Sequence, residues 1–317
     1  MTRSDDPRLR TDLAGISLRN PVILAAGTAG LCDELAGVLD LSRVGAVVTK
    51  SITREPRTGN PTWRIVPTKA GLLNAIGLAN PGIDRFMDEI APRLADVPTK
   101  VIGSIAGTSI EDYAHVAGAM DTLTEIPAVE LNVSCPNVHG GTEFGTDPEV
   151  LHRLVAEVRA RLGQTKLCVK LSPIAVGRPG MVEVAAAAIE AGADILTIAN
   201  TIPAMGIDVR TRRPVLSNIT GGLSGPAVHP VAVKLVHDVY VGVAKKARVP
   251  IVGVGGVSSW DDAAELILAG AGAVQVGTIL FADPKAPIRI ARGLGRWLDS
   301  QRIGTIGGMV GQVLDGR

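Results

Sequence analysis

One cysteine stands in a setting that favours chemistry over packing. Cys135 follows an apolar run and is flanked by Ser134 and Pro136, with asparagines at positions 132 and 137 and a Gly-rich segment after it. Most cysteines outside disulfides are small buried apolar side chains, but these polar neighbours predict a thiol at a strand end that faces a pocket. We therefore take Cys135 as the candidate catalytic residue and expect Cys32 and Cys168 to be structural.

Asparagines recur at the same kind of position. Loop asparagines usually form turns and caps, and Asn60 and Asn80, each followed by proline, fit that role. Four others stand in or beside predicted strand ends or long loops: Asn74, Asn132, Asn137 and Asn200. Each amide offers both a donor and an acceptor, so four of them around one pocket suit a planar ligand edged with C=O and N–H groups. A pyrimidine has such an edge.

Lys50 and Lys170 each end an apolar strand-like run. A single lysine there can simply extend to solvent, but two on one rim indicate positive charge placed for an anionic ligand or a reduced flavin ring. A lysine that forms a Schiff base, as in class I aldolases, is the alternative.

Glycines mark a candidate phosphate site. They occur in residues 221–225, in residues 253–256 and at Gly277, which precedes Thr278. Backbone N–H groups and a short helix N-terminus after the last two strands of a barrel often hold phosphate. Tight turns without a ligand are the alternative.

The composition excludes several classes of partner. The chain has 317 residues with 46% hydrophobic content, a formal net charge of +1 and 3% aromatic residues. This balance gives no electrostatic basis for binding nucleic acid or a membrane surface. Three cysteines without a C-x-x-C pair argue against a disulfide framework or a metal site, and the charged N-terminus has no signal-peptide pattern. We expect no metal, a cytoplasmic location and a single domain over residues 1–317.

The elements that position these residues alternate between β-branched runs and amphipathic stretches, which is typical of βα units. Eight runs, the number that closes a (β/α)8 TIM barrel, are predicted as strands: 21–26, 46–50, 100–104, 128–133, 166–171, 194–199, 250–255 and 273–277. An open doubly wound sheet is the alternative. Long loops follow strands two (51–98), four and six (200–225), and they place the candidate residues at the C-terminal face of this α/β fold.

With these motifs in place, the chain resembles the class 1 dihydroorotate dehydrogenases over almost its whole length. The motifs that carry the resemblance are Asn20-Pro21 with Ala25-Ala26-Gly27, Lys50-Ser51, Gly59-Asn60-Pro61-Thr62, residues 73–78, residues 132–137 and residues 218–226. The resemblance implies a base role for Cys135, whereas the class 2 enzymes use serine. Ala26 departs from the family, which often has serine there.

The resemblance also assigns ligand contacts. It implies that FMN binds to Ala26, Lys50, Ser51, Ser104, Asn132, Lys170, Ala199, Gly225, Gly255, Gly256, Gly277 and Thr278. It implies that the substrate contacts Lys50, Asn74, Ala75, Ile76, Gly77, Leu78, Asn132, Asn137, Asn200 and Thr201.

The run from His139 to Pro148 is similar to the 1B type, in which the FMN-containing catalytic subunit works with a partner subunit. The partner carries FAD and a 2Fe-2S cluster and passes electrons to NAD, and the pair forms a heterotetramer around a catalytic homodimer. The expected activity is the oxidation of dihydroorotate to orotate in pyrimidine biosynthesis. The alternatives are a 1A-like enzyme that uses fumarate, another flavin barrel acting on a different pyrimidine, a lysine-dependent aldolase and a non-catalytic barrel that binds a phosphorylated ligand.

Overall fold

The computed structural model describes residues 6–134, 144–174 and 176–314. Within these residues the strands are, in chain order, β1 (Thr11–Leu13), β2 (Ile16–Leu18), β3 (Val22–Leu24), β4 (Ala46–Val48), β5 (Ile65–Thr68), β6 (Gly71–Asn74), β7 (Lys100–Ile105), β8 (Ala128–Asn132), β9 (Lys166–Lys170), β10 (Ile195–Ile198), β11 (Ile202–Met205), β12 (Ile207–Asp208), β13 (Arg213–Pro214), β14 (Thr220–Ser224), β15 (Ile251–Val254) and β16 (Ala271–Val276). The α-helices are α1 (Ile83–Arg85), α2 (Ile110–Asp121), α3 (Pro148–Arg161), α4 (Met181–Glu190), α5 (His229–Val239), α6 (Lys245–Ala247), α7 (Trp260–Ala269) and α8 (Ala286–Gln301).

Eight of these strands close a parallel barrel in the order β10-β15-β16-β3-β4-β7-β8-β9. Each of the eight predicted runs matches one barrel strand to within two residues at either end, so the (β/α)8 prediction is confirmed and the open doubly wound sheet is excluded. The difference reaches two residues at the ends of β3 and β4 and at the start of β16, which begins at Ala271. The β1–β2 hairpin adds Leu13 and Leu18 to the apolar cluster inside the barrel.

Alternation along the barrel strands gives the interior three levels, because side chains two residues apart share a face. The lowest level is apolar and includes Ala128, Ile195 and Ala273. Two residues further along the same strands come buried polar side chains, Glu130, Thr197 and Gln275. Two residues further again come Asn132, Ala199 and Gly277, which line cavities. The C-terminal ends of the strands therefore carry the candidate site.

Helices cover the outside of the barrel. Helix α3 shows why they form: Asp147 accepts hydrogen bonds from the first-turn N–H groups, Pro148 starts the helix, and Leu151, Leu154 and Val158 bury one face. The first βα unit lacks an α-helix, since turns and the short 3₁₀ segment Leu41–Arg43 occupy that connection. None of the helices within the described residues is long and apolar enough to cross a membrane.

Two of the connections that the sequence predicts as long loops contain strands of their own. Strands β5 and β6 from the second connection pair with β11 and β14 from the sixth, in the antiparallel order β11-β14-β6-β5. Strands β12 and β13 form a separate two-stranded ribbon. A prediction of loops alone was incomplete here, because Gly, Pro and Thr interrupt the alternating pattern by which short strands are detected.

Candidate functional site

Two adjoining cavities lie at the C-terminal end of the barrel. The first has a volume of about 550 Å³ and is bounded by the ends of several barrel strands, by β6 and by β14. The second, of about 750 Å³, lies between the loop after β6, the ends of β8 and β10, and β14. Both are lined by Asn74, Ile76, Asn200 and Thr201, so two ligands could occupy them side by side.

The first cavity gathers eight of the twelve residues predicted to bind the cofactor: Ala26, Lys170, Ala199, Gly225, Gly255, Gly256, Gly277 and Thr278. Gly256 follows β15, and Thr278 begins a 3₁₀ turn after β16. The N–H groups of these two residues donate to no acceptor among the described residues. Unused N–H groups at adjacent strand ends are suited to an anion, so this end of the cavity fits a phosphate group.

A buried ion pair lies at the floor of the first cavity. The Nζ atom of Lys170 is 3.7 Å from Oε1 of Glu130 and 3.4 Å from Oε1 of Gln275. The other carboxylate oxygen, Oε2 of Glu130, accepts hydrogen bonds from Gln275 Nε2 at 2.5 Å and from Thr197 Oγ1 at 2.9 Å. Lys170 and Gln275 also line the cavity, so an ammonium group faces whatever binds there.

A capped turn supports the Gly255–Gly256 side of the first cavity. Oδ2 of Asp262 accepts hydrogen bonds from the N–H and hydroxyl groups of both Ser258 and Ser259, at 2.8 to 2.9 Å. Burial acts to raise the pKa of Asp262, but these hydrogen bonds outweigh it and lower the pKa below its ordinary value. On the other side, Nδ1 of His229 lies 2.8 Å from the Gly255 carbonyl oxygen.

Replacing Asp262 by alanine is expected to destabilise the protein by about 1 to 3 kcal/mol at neutral pH, because four donors lose their acceptor. The Asp262 carboxylate stabilises the fold at pH values above its unfolded-state pKa of about 3.9. This contribution is lost as the pH falls through the folded-state pKa, which is lower. Urea unfolding at pH 7 and at pH 3 measures both effects. We expect the difference between the two proteins to shrink at pH 3.

Asp261→Ala is the matched control, since it removes an exposed carboxylate from the same first helical turn. Equal losses of stability in the two variants would show that the Asp262 hydrogen bonds contribute nothing specific.

The second cavity brings together the predicted substrate residues: Asn74, Ala75, Ile76, Gly77, Leu78, Asn132, Asn200 and Thr201. Their amides are fixed in place. Nδ2 of Asn200 donates to Oδ1 of Asn132 at 3.0 Å, and Nδ2 of Asn74 donates to the Gly222 carbonyl at 3.1 Å. Preoriented amides of this kind suit recognition of a planar amide-like ring.

Three predicted ligand contacts line neither cavity. Ser104 is fully buried, and its hydroxyl lies 2.8 Å from that of Ser51, to which Asn132 donates at 3.3 Å. The two serines thus lie behind Asn132 and support it. Lys50 also lies outside both linings. Burial lowers the pKa of Lys50, Arg64 lowers it further, and Glu34 acts in the opposite direction.

Cys135 and Asn137 lie outside the described residues, so their predicted roles stay predictions. The other two cysteines are buried free thiols, as expected from the sequence. Burial raises the pKa of Cys32 to about 12, with a smaller contribution from Asp33. Burial together with Glu130 raises the pKa of Cys168 well above its ordinary value. Neither thiol forms a thiolate near neutral pH.

Sequence reasoning missed several residues that line the cavities or lie beneath them. It assigned Asn60 to a turn, and its Nδ2 does donate to the Ala75 carbonyl at 2.9 Å, but Asn60 also lines the second cavity. It gave no role to Glu130 or Gln275, although a carboxylate and an amide inside strands buried on both faces are a detectable signal. Further lining residues without such a signal are Ile65, Leu72, Ser134, Ser258 and Phe281.

The donor set fits a planar ligand with a phosphate tail. Apolar side chains such as Ile76 and Leu223 line the walls of the first cavity, a cation lies at its floor, and unused N–H groups lie at the Gly256 and Thr278 end. FMN has these three parts: a ring system, a site of negative charge on the reduced ring, and a phosphate. The residues present therefore fit FMN in the first cavity.

Known proteins of similar sequence point the same way. The family described as dihydroorotate dehydrogenase matches residues 8–298. A protein of Pelobacter propionicus named dihydroorotate dehydrogenase B (NAD(+)), catalytic subunit, is 47% identical over 308 residues, which cover 97% of this chain and 99% of the relative. Proteins of the same name from Geotalea uraniireducens and Geobacter sulfurreducens are each 46% identical, over 97% of this chain and 99% and 98% of their own lengths.

Proposed function

The chain belongs to the dihydroorotate dehydrogenase family, and on that premise we propose that it oxidises dihydroorotate to orotate in pyrimidine biosynthesis, with FMN in the first cavity and substrate in the second. The observation that carries this proposal is the pair of adjoining cavities, which meet where Asn74 and Asn200 line both of them. One fits a phosphorylated ring and the other a ring edged with amide groups.

The reaction forms a C5–C6 double bond in the substrate by removal of a proton from C5 and a hydride from C6. FMN, when bound, supplies the acceptor for the hydride. We assign the C5 proton to the thiolate of Cys135, because a neutral thiol is too weak a base.

The remaining residues bind and orient. Asn74, Asn132 and Asn200 hold the pyrimidine. The hydrogen bond from Asn200 to Asn132 and the one from Asn74 to the Gly222 carbonyl limit the side-chain rotations that binding has to freeze. Lys170 places positive charge beneath the first cavity, where it offsets negative charge on a reduced ring. Backbone N–H groups after β15 and β16 hold the phosphate. Lys50, with its lowered pKa, is assigned to FMN and substrate by the family resemblance alone.

We further propose that electrons pass to NAD through a partner subunit, because the relatives are named NAD(+)-dependent catalytic subunits. The family resemblance adds that the partner carries FAD and a 2Fe-2S cluster. Residues 1–317 would form one domain, in a homodimer or in a heterotetramer with that partner. The buried free thiols of Cys32 and Cys168 fit a reducing cytoplasm.

The test is the visible spectrum of the purified chain, followed by anaerobic addition of dihydroorotate. We expect a bound flavin that bleaches rapidly. A flavin that ignores dihydroorotate would move the proposal to another reduced pyrimidine, and a colourless chain that takes up no FMN would overturn it in favour of an aldolase or a binding protein. Mixing the reduced chain with NAD, with NAD plus a candidate partner, and with fumarate then identifies the acceptor.

A further inference from the structure

The polar level inside the barrel is unusual for this fold. Barrel interiors are normally filled by layers of branched apolar side chains, yet Glu130, Thr197 and Gln275 are 0%, 0% and 2% exposed. Lys170, at 7%, is almost as buried. Burying charge is unfavourable unless it is paired, so this arrangement needs a reason beyond packing.

The contacts fix the carboxylate more firmly than they fix the ammonium. Two donors hold Oε2 of Glu130, whereas Oε1 has no hydrogen-bond donor among the described residues and lies 3.7 Å from Lys170 Nζ. Within the part of the chain that the structure describes, the ammonium donates one hydrogen bond, at 3.4 Å to Gln275. Lys170 is thus attracted toward the barrel floor by an anchored negative charge, and it also lines the first cavity.

We propose that Glu130 is a positioning residue that holds Lys170 at the floor of the first cavity and offsets part of its charge, and thereby sets the reduction potential of the FMN above it. This inference rests on the proposed function, because it needs FMN in the first cavity. Negative charge added to the ring on reduction is stabilised by Lys170 and opposed by Glu130. With the carboxylate in place, the net charge of the floor pair is zero.

Removing the carboxylate while keeping its shape isolates this effect. In Glu130→Gln the Lys170 charge is no longer offset, so reduced FMN is favoured. We expect the ratio of reduced to oxidised FMN at a fixed potential to rise by about tenfold or more, which is about 30 mV for a two-electron couple. The measurement is an anaerobic reductive titration of the FMN-loaded chain against a reference dye at pH 7.

Two further variants separate charge from structure. Thr197→Val removes one hydrogen bond to Oε2 of Glu130 but leaves the charges of Glu130 and Lys170. We therefore expect the FMN reduction potential to shift by less than about a third of its shift in Glu130→Gln. The exchanged pair E130Q/Q275E moves the carboxylate to position 275, whose side chain also contacts Lys170 Nζ. We expect its ratio of reduced to oxidised FMN at a fixed potential to return to within about threefold of the wild-type ratio.

The outcomes distinguish this inference from the function on which it rests. Failure of the wild-type chain to bind FMN overturns the proposed function. If the wild-type chain binds FMN, an unchanged or lower potential in Glu130→Gln overturns the role of Glu130. If Glu130→Gln does not fold, the exchanged pair decides, since it still buries one carboxylate with one ammonium. A potential close to that of the wild type then supports the proposal, and a larger departure overturns it.

Discussion

Replacing Cys135 by serine is expected to slow the reduction of bound FMN by dihydroorotate by about 10² to 10⁴-fold at neutral pH, the range typical of a lost general base. A serine hydroxyl is a far weaker base than a thiolate, although the two side chains are similar in size. The measurement is anaerobic stopped-flow absorbance of the flavin after mixing with dihydroorotate. Affinities for FMN and for orotate should change by less than about threefold, because the thiol before reaction and the serine hydroxyl that replaces it are both uncharged.

The pH dependence gives a second readout of the same change. A free thiol has a pKa of about 8.5, so the rate of FMN reduction in the wild type should rise toward alkaline pH. In Cys135→Ser that rise should be absent. Cys32→Ala is the control, because burial raises the pKa of that thiol to about 12 and it forms no thiolate in this range. Wild-type rates in Cys135→Ser would remove Cys135 from the mechanism.

Replacing Gly71 by alanine is expected to weaken FMN binding by about a hundredfold or more and to destabilise the protein by about 2 kcal/mol. Gly71 begins β6 and lines the first cavity. A Cβ atom there would lie 1.9 Å from the carbonyl oxygen of Ser224, which is backbone and cannot rotate away. Strand β14 and the adjacent Gly225 must therefore shift, and Gly225 is one of the residues predicted to bind FMN.

Fluorescence titration with FMN and urea unfolding measure the two effects. Gly118→Ala in helix α2 is the matched control, because its Cβ would meet no atom within 4 Å. That change should leave FMN affinity unaltered and stabilise the protein by up to about 1 kcal/mol. Wild-type FMN affinity in Gly71→Ala would show that the contact between Gly71 and Ser224 does not shape the cavity.

The barrel was predictable because the sequence pattern of its strands is local and is repeated along the chain. Each strand is a short β-branched run, and both faces of a parallel barrel strand are covered, so four of the six residues in the run 128–133 are apolar. Glu130 interrupts that run, and its partner Lys170 comes from a neighbouring strand. Sequence spacing alone cannot show which buried charges pair, because the pairing is set by the order in which strands meet around the barrel.

The site was predictable in part for the same reason. Residues at strand ends, such as Ala199, Asn200 and Gly277, had to reach the C-terminal face once the strands were placed. Residues carried by β5, β6 and β14 were harder to place, because antiparallel pairing between two distant connections leaves no periodic trace in either. The support that Ser104 and Ser51 give to Asn132 became visible only when three strand ends were seen together.

The pairing of β6 with β14 also bears on how the protein reaches its native state. The hydrogen bond from Asn74 to Gly222 joins residues 148 positions apart. Contacts between such distant residues form slowly, because the chain loses conformational entropy before the new contacts offset that loss. The first cavity cannot be complete until all eight barrel strands have been synthesised, because Gly256 and Thr278 follow the last two of them. A ligand that binds only the complete cavity stabilises the finished fold by mass action, so the proposed FMN would add stability only after the two distant connections have paired.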